Sequence, residues 1–459
     1  MSKQDTVINP NIIRKAPIAS ACFMGLGQIL YLKQYLRGAM FALLEFLLLF
    51  FCCFGVSPDT GSMTLNFQGP FINSLKGLIT LGDPHPELPV KLRDNSIFMM
   101  VTGLMIVIII LLYFVVYWFN IRDAKKSAAH LVEKQRFPSY AETRNAIHDK
   151  AFPYIGITPI IVLMAFLTVI PLVFSALVAF TNYSEPDHLP QANLVDWSGL
   201  EAFKTMFTAS ANNNWYMSFG RIAVWTIIWA FLSTLSCYFV GMLFAVILVD
   251  KRIKISKVFR TIFILPYAIP TMLSLFIWQN LLNGTFGPIN RTLIEFGLIS
   301  NPIPWLSDPN LAKLTLVLVN VWIGFPYSMI LITSNMTAIP SQLYEAAIID
   351  GANKWQQFKS VTLPLVLYQT MPILIMQFAG NINNFGAVFF LTAGDPKLAD
   401  TVTTQAGATD IMISWIYKLT MNIRQYNLAS VLSILVFVVL VPFAVYNFTQ
   451  TKSFKEGEI

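Results

Sequence analysis

Apolar residues run along this chain in long blocks separated by shorter polar stretches. The blocks at 37–56, 96–120, 153–181, 217–249, 260–283, 311–335, 366–392 and 426–448 are each about twenty residues or more, the length a helix needs to cross a ~30 Å hydrocarbon core. They predict eight transmembrane helices in an all-α polytopic membrane protein. Lipid offers the backbone no hydrogen-bond partner and nothing in these blocks alternates like a barrel strand, so no other spanning element fits. A further apolar stretch, "PIASACFMGLGQILYL" at 17–32, is short and carries two glycines. It is expected to be re-entrant or interfacial instead of a ninth span.

Prolines interrupt several blocks: Pro171 the third, Pro266 and Pro270 of "LPYAIP" the fifth, and Pro326 the sixth. Each removes a helix hydrogen bond and bends the axis. Broken helices at membrane depth either line a cavity or are packed on neighbours, and the residues alone leave both readings open.

The polar stretches order the chain into a 1–36 N-terminal segment, two peripheral helices with an outer loop over 37–120, a mixed-charge connector over 121–150 broken by Pro138, and a six-helix block over 151–459. The loop 182–216 is too short to build a core of its own and is read as a small docking surface. Composition adds orientation. With the N-terminus inside, the inner segments hold 21 Lys and Arg and the outer loops 8, so both termini are expected to be cytoplasmic. The net charge of +7 concentrates in short inner loops such as "DKRIKISKVFR" (250–260), where topology and lipid headgroups account for it without nucleic acid.

Other chemistry is thin. Cys22, Cys52, Cys53 and Cys237 lie in apolar stretches, which indicates neither a disulfide framework nor a metal site. "ASA" at 19–21 precedes the first long apolar run, where a signal cleavage site would follow one. No G-x-x-x-x-G-K phosphate loop occurs, so the chain is not expected to bind ATP in that way. His85, His130, His148 and His188 all fall outside the spans and no acids cluster, which argues against an enzyme. Glu45 is the one acid within a span. That argues against the rival reading of a proton-coupled secondary transporter, which commonly uses intramembrane carboxylates; sodium coupling through carbonyls stays open.

One polar stretch between spans is different. In "IPSQLYEAAIIDGANKWQQFKSVTLP" (339–364), Pro340 and Ser341 suit a helix start and Gly351 a left-handed C-cap. Asn353 can then cap a second short helix with Gln356 in a capping-box relation, ended by Pro364. This hairpin presents Ala346, Ala347 and Ile348 beside Glu345 and Asp350. Small residues admit a close partner and the charges fix its register; the alternative is a loop helix lying in the headgroups.

Two spans carry polar residues at matching intervals: Asn320, Gly324 and Tyr327 in one, and Gln377, Asn381 and Asn384 in the other, each at i, i+4 and i+7 and so on one helix face. Amides and a phenol beside a glycine can hydrogen-bond sugar hydroxyls. Interhelical hydrogen bonds, with Gly324 and Gly380 as packing contacts, would use the same residues.

The hairpin resembles the cytoplasmic loop of membrane subunits of ATP-binding-cassette importers, of the form E-A-A, three residues, G, nine residues, I or V, any residue, L-P. Glu345, Ala346, Ala347, Gly351, Val361, Leu363 and Pro364 occupy every fixed position. The likeness extends from "FTNYS" (180–184) and "WSGLEAF" (197–203) through "LPYAIP" to the C-terminus, and is strongest to the larger membrane subunit of maltose and maltodextrin importers. It implies a type I importer permease fold forming half of a translocation pathway. It also implies a second homologous permease, two ATPase subunits docked at the loop (Asp350 included) that bind the ATP, and an extracellular sugar-binding protein. For the sugar, the resemblance implies Tyr267, Asn320, Ile323, Gly324, Tyr327, Gln377, Asn381, Asn384 and Gly386, with Gln377 standing where that subunit has a serine. Enterobacterial members carry a large folded domain after the third span, and the short loop here points to a lipid-anchored binding protein. The same loop also fits a permease for another sugar.

Overall fold

The computed structural model describes residues 8–56, 63–65, 69–85, 87, 93–137, 142, 145, 156–188, 194–209, 213–250, 252–398 and 401–450. They pack as two compact units, residues 1–197 and 198–459.

The first unit begins with α1 (Ile12–Cys22) and α2 (Leu26–Leu30), which lead into the spanning helix α3 (Tyr35–Cys53). Both early helices are too short to cross a membrane, in keeping with a re-entrant or interfacial reading of 17–32. The chain breaks between them at Gly25, whose φ of +85° suits glycine and where a Cβ would collide with the Gly38 carbonyl of α3. Polar groups freed at the break are satisfied from neighbours. The Met24 N–H donates to the Glu45 carboxylate. Ser20 Oγ donates to Gln28 Oε1 at 2.7 Å, Gln28 Nε2 to Asn120 Oδ1 at 3.0 Å, and Asn120 Nδ2 to the Ser20 carbonyl at 3.0 Å. The acid that stands alone inside the first span thus works as a backbone cap.

A three-residue ribbon, β1 (Phe54–Val56) with β2 (Met63–Leu65), follows α3, and α4 (Pro70–Thr80) packs along α5 (Ser96–Lys134). Asn95 caps α5 by accepting from the N–H groups of Ile97 and Phe98. The helix does not stop where its apolar block ends at 120. It runs on to Lys134 because Asn120 and Asp123 are tied to Gln28 and Arg37 and because Ala128 and Leu131 bury against Ile8, Ala16 and Leu32. The third span, α6 (Gly156–Val178), packs on α5. The first unit therefore extends past the boundary at 150 drawn from the sequence.

The second unit opens with α7 (Glu201–Phe207) and is organised around α8 (Asn214–Val249). α12 (Pro309–Thr337) lies along one flank of α8 and α14 (Lys354–Ile382) along another. Two apolar clusters sit at different levels of α8. Trp225 and Trp229 pack with Leu275, Leu316, Val319, Val388 and Leu391; Tyr238, Met242, Ala245 and Leu248 pack with Phe325, Met329, Ile332 and Val366. Gly241 lets α8 approach α12 closely, since a Cβ there would meet Ser328 and the backbone of Met329.

Seven described helices are long and apolar enough to span: α3, α5, α6, α8, α12, α14 and α17 (Tyr426–Gln450). The fifth expected span is not one helix. It consists of α9 (Ser256–Ala268) and α10 (Thr271–Leu281), bent by 89°. Pro270 drives Ile269 into extended backbone (φ −81°, ψ 137°), as a proline does to the residue before it. Elsewhere proline is absorbed. Pro171 and Pro364 each lie two residues beyond a π-turn, at Ala165–Val169 and Phe358–Thr362. The carbonyl four residues before each proline, which the proline cannot bond, falls inside that widened turn. The second helix of the hairpin, expected to end at Pro364, therefore continues into the span as α14.

Short helices α11 (Pro288–Glu295), α13 (Ser341–Ile349), α15 (Phe385–Thr392) and α16 (Met412–Met421) complete the unit. Before α16, the fully buried Asp410 carboxylate accepts from the Gly407 N–H at 2.7 Å, the Ser414 hydroxyl at 2.8 Å and Lys418 Nζ at 2.7 Å. Burial pushes this carboxyl above the usual carboxylate range, against the opposing pull of Lys418.

Candidate functional site

The hairpin forms as its residues require. α13 ends on Asp350, and Gly351 takes φ +76°. The Gly351 N–H donates to the Ile348 carbonyl at 3.0 Å and the Ala352 N–H to the Ala347 carbonyl at 2.8 Å, the paired bonds of a Schellman stop. Asn353 and Gln356 form the expected capping box at the start of α14. Tyr344 and Thr362 hydroxyls, 2.9 Å apart, tie the two helices together.

The structure divides the motif by exposure. Glu345, Ala346, Asp350, Gly351 and Pro364 are exposed, while Ala347, Val361 and Leu363 are half-buried, the last two packing onto the apolar cluster below. One end of the motif therefore seats the hairpin on the bundle and the other faces away. Alongside that free end stand Ile349, 85% exposed, and Trp355, 68% exposed and stacked on Phe358. Large apolar side chains thus stand exposed at an otherwise polar hairpin. The fixed positions of the motif do not include them.

The second constellation lies between the two apolar clusters of α8. Tyr267, near the end of α9, meets Tyr327 of α12 with ring centroids 5.9 Å apart, and both are exposed. Gln377 and Asn381 lie on α14 and are partly exposed. Asn381 Nδ2 donates to Thr234 Oγ1 of α8 at 3.0 Å, and Asn320 Nδ2 of α12 reaches Cys237 Sγ of α8 at 3.8 Å. Thr234 and Cys237 are one turn apart, so α8 joins the two polar trios from behind. Sequence reading missed both, because each sits inside a block whose apolar character alone was legible.

Three expected residues are placed differently. Asn384 is not on the α14 face, since α14 ends at Ile382. It caps α15 instead, accepting from the Ala387 N–H at 3.2 Å, and its Nδ2 reaches Asn381 Oδ1 at 3.4 Å across the break. Gly324 serves close packing, because a Cβ there would sit 2.8 Å from Cys237 Sγ. Ile323 is buried in the Trp229 cluster. Gly380, by contrast, meets nothing, and Gly386 has only ordinary room beside Phe390. The amides of Asn381, Asn384 and Asn320 thus gather along α8 and the helix break, and Tyr267 pairs with Tyr327 between α9 and α12. Amides can bond hydroxyls and rings can pack on apolar faces, the two chemistries that a polyol with apolar faces requires.

Comparison with known proteins extends these findings. The family described as the binding-protein-dependent transport system inner membrane component matches residues 237–453. The galactooligosaccharides transport system permease protein of Bacillus subtilis is 36% identical over 96% of this chain and 99% of its own length. The maltodextrin transport system permease protein of Streptococcus pneumoniae is 33% identical over 95% of each. A crystal structure of a bacterial ABC transporter involved in the import of the acidic polysaccharide alginate aligns with a TM-score of 0.51 at 21% identity, covering 67% of this chain and 99% of that one. That likeness is one of fold.

Proposed function

Since this chain belongs to the family of binding-protein-dependent transport system inner membrane components, we propose that it forms one half of the sugar pathway of an ATP-binding-cassette importer and is driven through its hairpin by a separate ATPase. The observation that carries this reading is the hairpin itself. Glu345, Ala346, Asp350 and Gly351 point away from the bundle beside Ile349 and Trp355, while Val361 and Leu363 anchor the base. Because the hairpin continues directly into α14, which carries Asn381, a push from a partner on it reaches that helix.

In this reading both termini and the hairpin are cytoplasmic. A second, similar permease completes the pathway, two ATPase subunits bind and hydrolyse the ATP, and a binding protein, lipid-anchored at the outer face, delivers the sugar. Tyr267, Tyr327, Asn320, Gln377, Asn381 and Asn384 hold it in transit.

The cargo is an oligosaccharide of the maltodextrin type. The galactooligosaccharide relative, similar over nearly the whole chain, favours a second reading with a galactosyl cargo. The test is to co-purify the chain with its partners, reconstitute the assembly in liposomes with the binding protein, and measure ATP hydrolysis and uptake with maltodextrins and galactooligosaccharides side by side. Stimulation by maltodextrins is expected. Stimulation by galactooligosaccharides alone selects the second cargo, and failure to recover any ATPase with the chain overturns the coupling role.

A further inference from the structure

We infer that Thr234, with Cys237 one turn away, is a positioning residue of α8 that fixes which way the site amides point, so that their carbonyl oxygens turn toward the sugar. This rests on the reading of Asn381 and Asn320 as sugar contacts.

Thr234 has a single proton to give. Thr234 Oγ1 donates its one proton to the Ala230 carbonyl at 2.7 Å, so toward Asn381 it can only accept. The amide of Asn381, 3.0 Å away, must therefore turn its NH2 to Thr234 and its Oδ1 away. Oδ1 takes a long hydrogen bond from Asn384 Nδ2, at 3.4 Å, and keeps a second lone pair free. The backbone is held too: Trp229 Nε1, a fully buried side chain of α8, donates to the Asn381 carbonyl at 3.1 Å.

Cys237 repeats the logic on the other flank. Its thiol donates to the Asn320 backbone carbonyl at 3.6 Å and its sulfur faces Asn320 Nδ2 at 3.8 Å, so this amide also turns its NH2 toward α8. Both amides then present carbonyl oxygens, and sugar hydroxyls meet them as proton donors. A hydroxyl replaced by hydrogen or by an ether leaves such an acceptor unpaired once the sugar covers it, which is the costly outcome.

The experiment uses the assembled complex in liposomes with saturating binding protein, and compares Thr234→Val, Thr234→Ser, Asn381→Ala and the Thr234→Val/Asn381→Ala pair. Uptake is measured for intact and singly deoxygenated oligosaccharides, beside melting of the sugar-free complex. Thr234→Val removes the acceptor at constant shape and is expected to lower uptake about tenfold and to flatten the discrimination against deoxy sugars. Thr234→Ser keeps the acceptor and restores both. Because Thr234 acts through Asn381, adding Thr234→Val to Asn381→Ala should change nothing further. If Thr234→Val lowers the melting temperature, Thr234→Ala replaces it in the same cycle. Wild-type uptake and discrimination in Thr234→Val, or losses that simply add in the double variant, overturn the positioning role. Wild-type uptake in Asn381→Ala instead removes the binding-site reading beneath it.

Discussion

Asn353 and Gln356 hold each other's backbone at the start of α14: the Asn353 side chain accepts from the Gln356 N–H at 2.9 Å, and the Gln356 side chain accepts from the Asn353 N–H at 2.8 Å. With Gly351 at φ +76° just before them, the turn of the hairpin is fixed from both sides. Gly351→Pro forbids that φ and deletes the N–H that bonds Ile348. It is expected to abolish ATPase association while membrane insertion survives. Asn353→Ala, which costs a cap about 1 kcal/mol, should weaken association only in part. Pull-down of the ATPase at equal expression decides, and wild-type recovery with Gly351→Pro would contradict the docking role.

Glu345→Lys tests chemistry instead of shape. Glu345 is exposed, so the reversal leaves the hairpin folded and changes only what a partner meets. Association and uptake should fall together, and the circular-dichroism melt of the isolated chain should not move. A shifted melt with retained association would place Glu345 in the fold of the hairpin.

The sugar face needs variants chosen with the caps in mind. Asn381→Ala should impair uptake with little change in sugar-free melting. Asn384→Ala removes the α15 cap as well as an amide, so it should also lose about 1 kcal/mol of stability. Asn384→Ser keeps a capping oxygen and isolates the amide. Asn383, exposed just past the end of α14, provides the mild control. Uptake of several oligosaccharide lengths beside melting curves checks the set. Equal loss of both quantities in all four variants would mean that these residues only pin helices together.

Asp410 and Lys418 form a buried pair at 2.7 Å. Lys418→Met strands the carboxylate and should destabilise the complex by about 3 kcal/mol; adding Asp410→Asn should recover most of it. The pH dependence has a definite sign. Burial raises the folded-state pKa of Asp410, so the fold holds this proton more tightly than the unfolded chain does. Its contribution to stability is greatest in acid and is lost as pH rises from the ordinary carboxylate range through the folded value. Lys418→Met removes the opposing pull and should steepen that loss, as read from melting against pH. A flat profile in the variant would mean that Asp410 is not buried in solution.

The purified chain alone, in liposomes without a second permease and ATPase, should take up no sugar. Uptake under those conditions would revive the ion-coupled reading.

Much of the fold was legible because its causes are local. Apolar length marks seven of the eight expected spans, and Gly351, Asn353 and Gln356 signal the hairpin turn through backbone chemistry that acts over a few residues. The misreadings share a cause as well. Pro364 and Pro270 look alike as letters, yet a π-turn absorbs the first while the second turns the chain by 89°. Asn384 keeps the helical interval of Gln377 and Asn381, but α14 ends before reaching it, and a cap replaces a face. Periodicity presumes that the helix goes on.

Local signals in the sequence were enough to show that this chain crosses a membrane as helices, where a polar hairpin interrupts them, and which residue types gather at two levels of the bundle. Packing shows what no local signal could: Glu345 and Ala346 face outward while Val361 and Leu363 face the core, Glu45 caps a backbone break, and α8 stands behind both polar trios. The division follows from range. Hydrophobic length, capping and turn preference are properties of neighbouring residues, whereas the direction in which Asn381 points depends on a proton that Thr234, 147 positions away along the chain, has already given to Ala230.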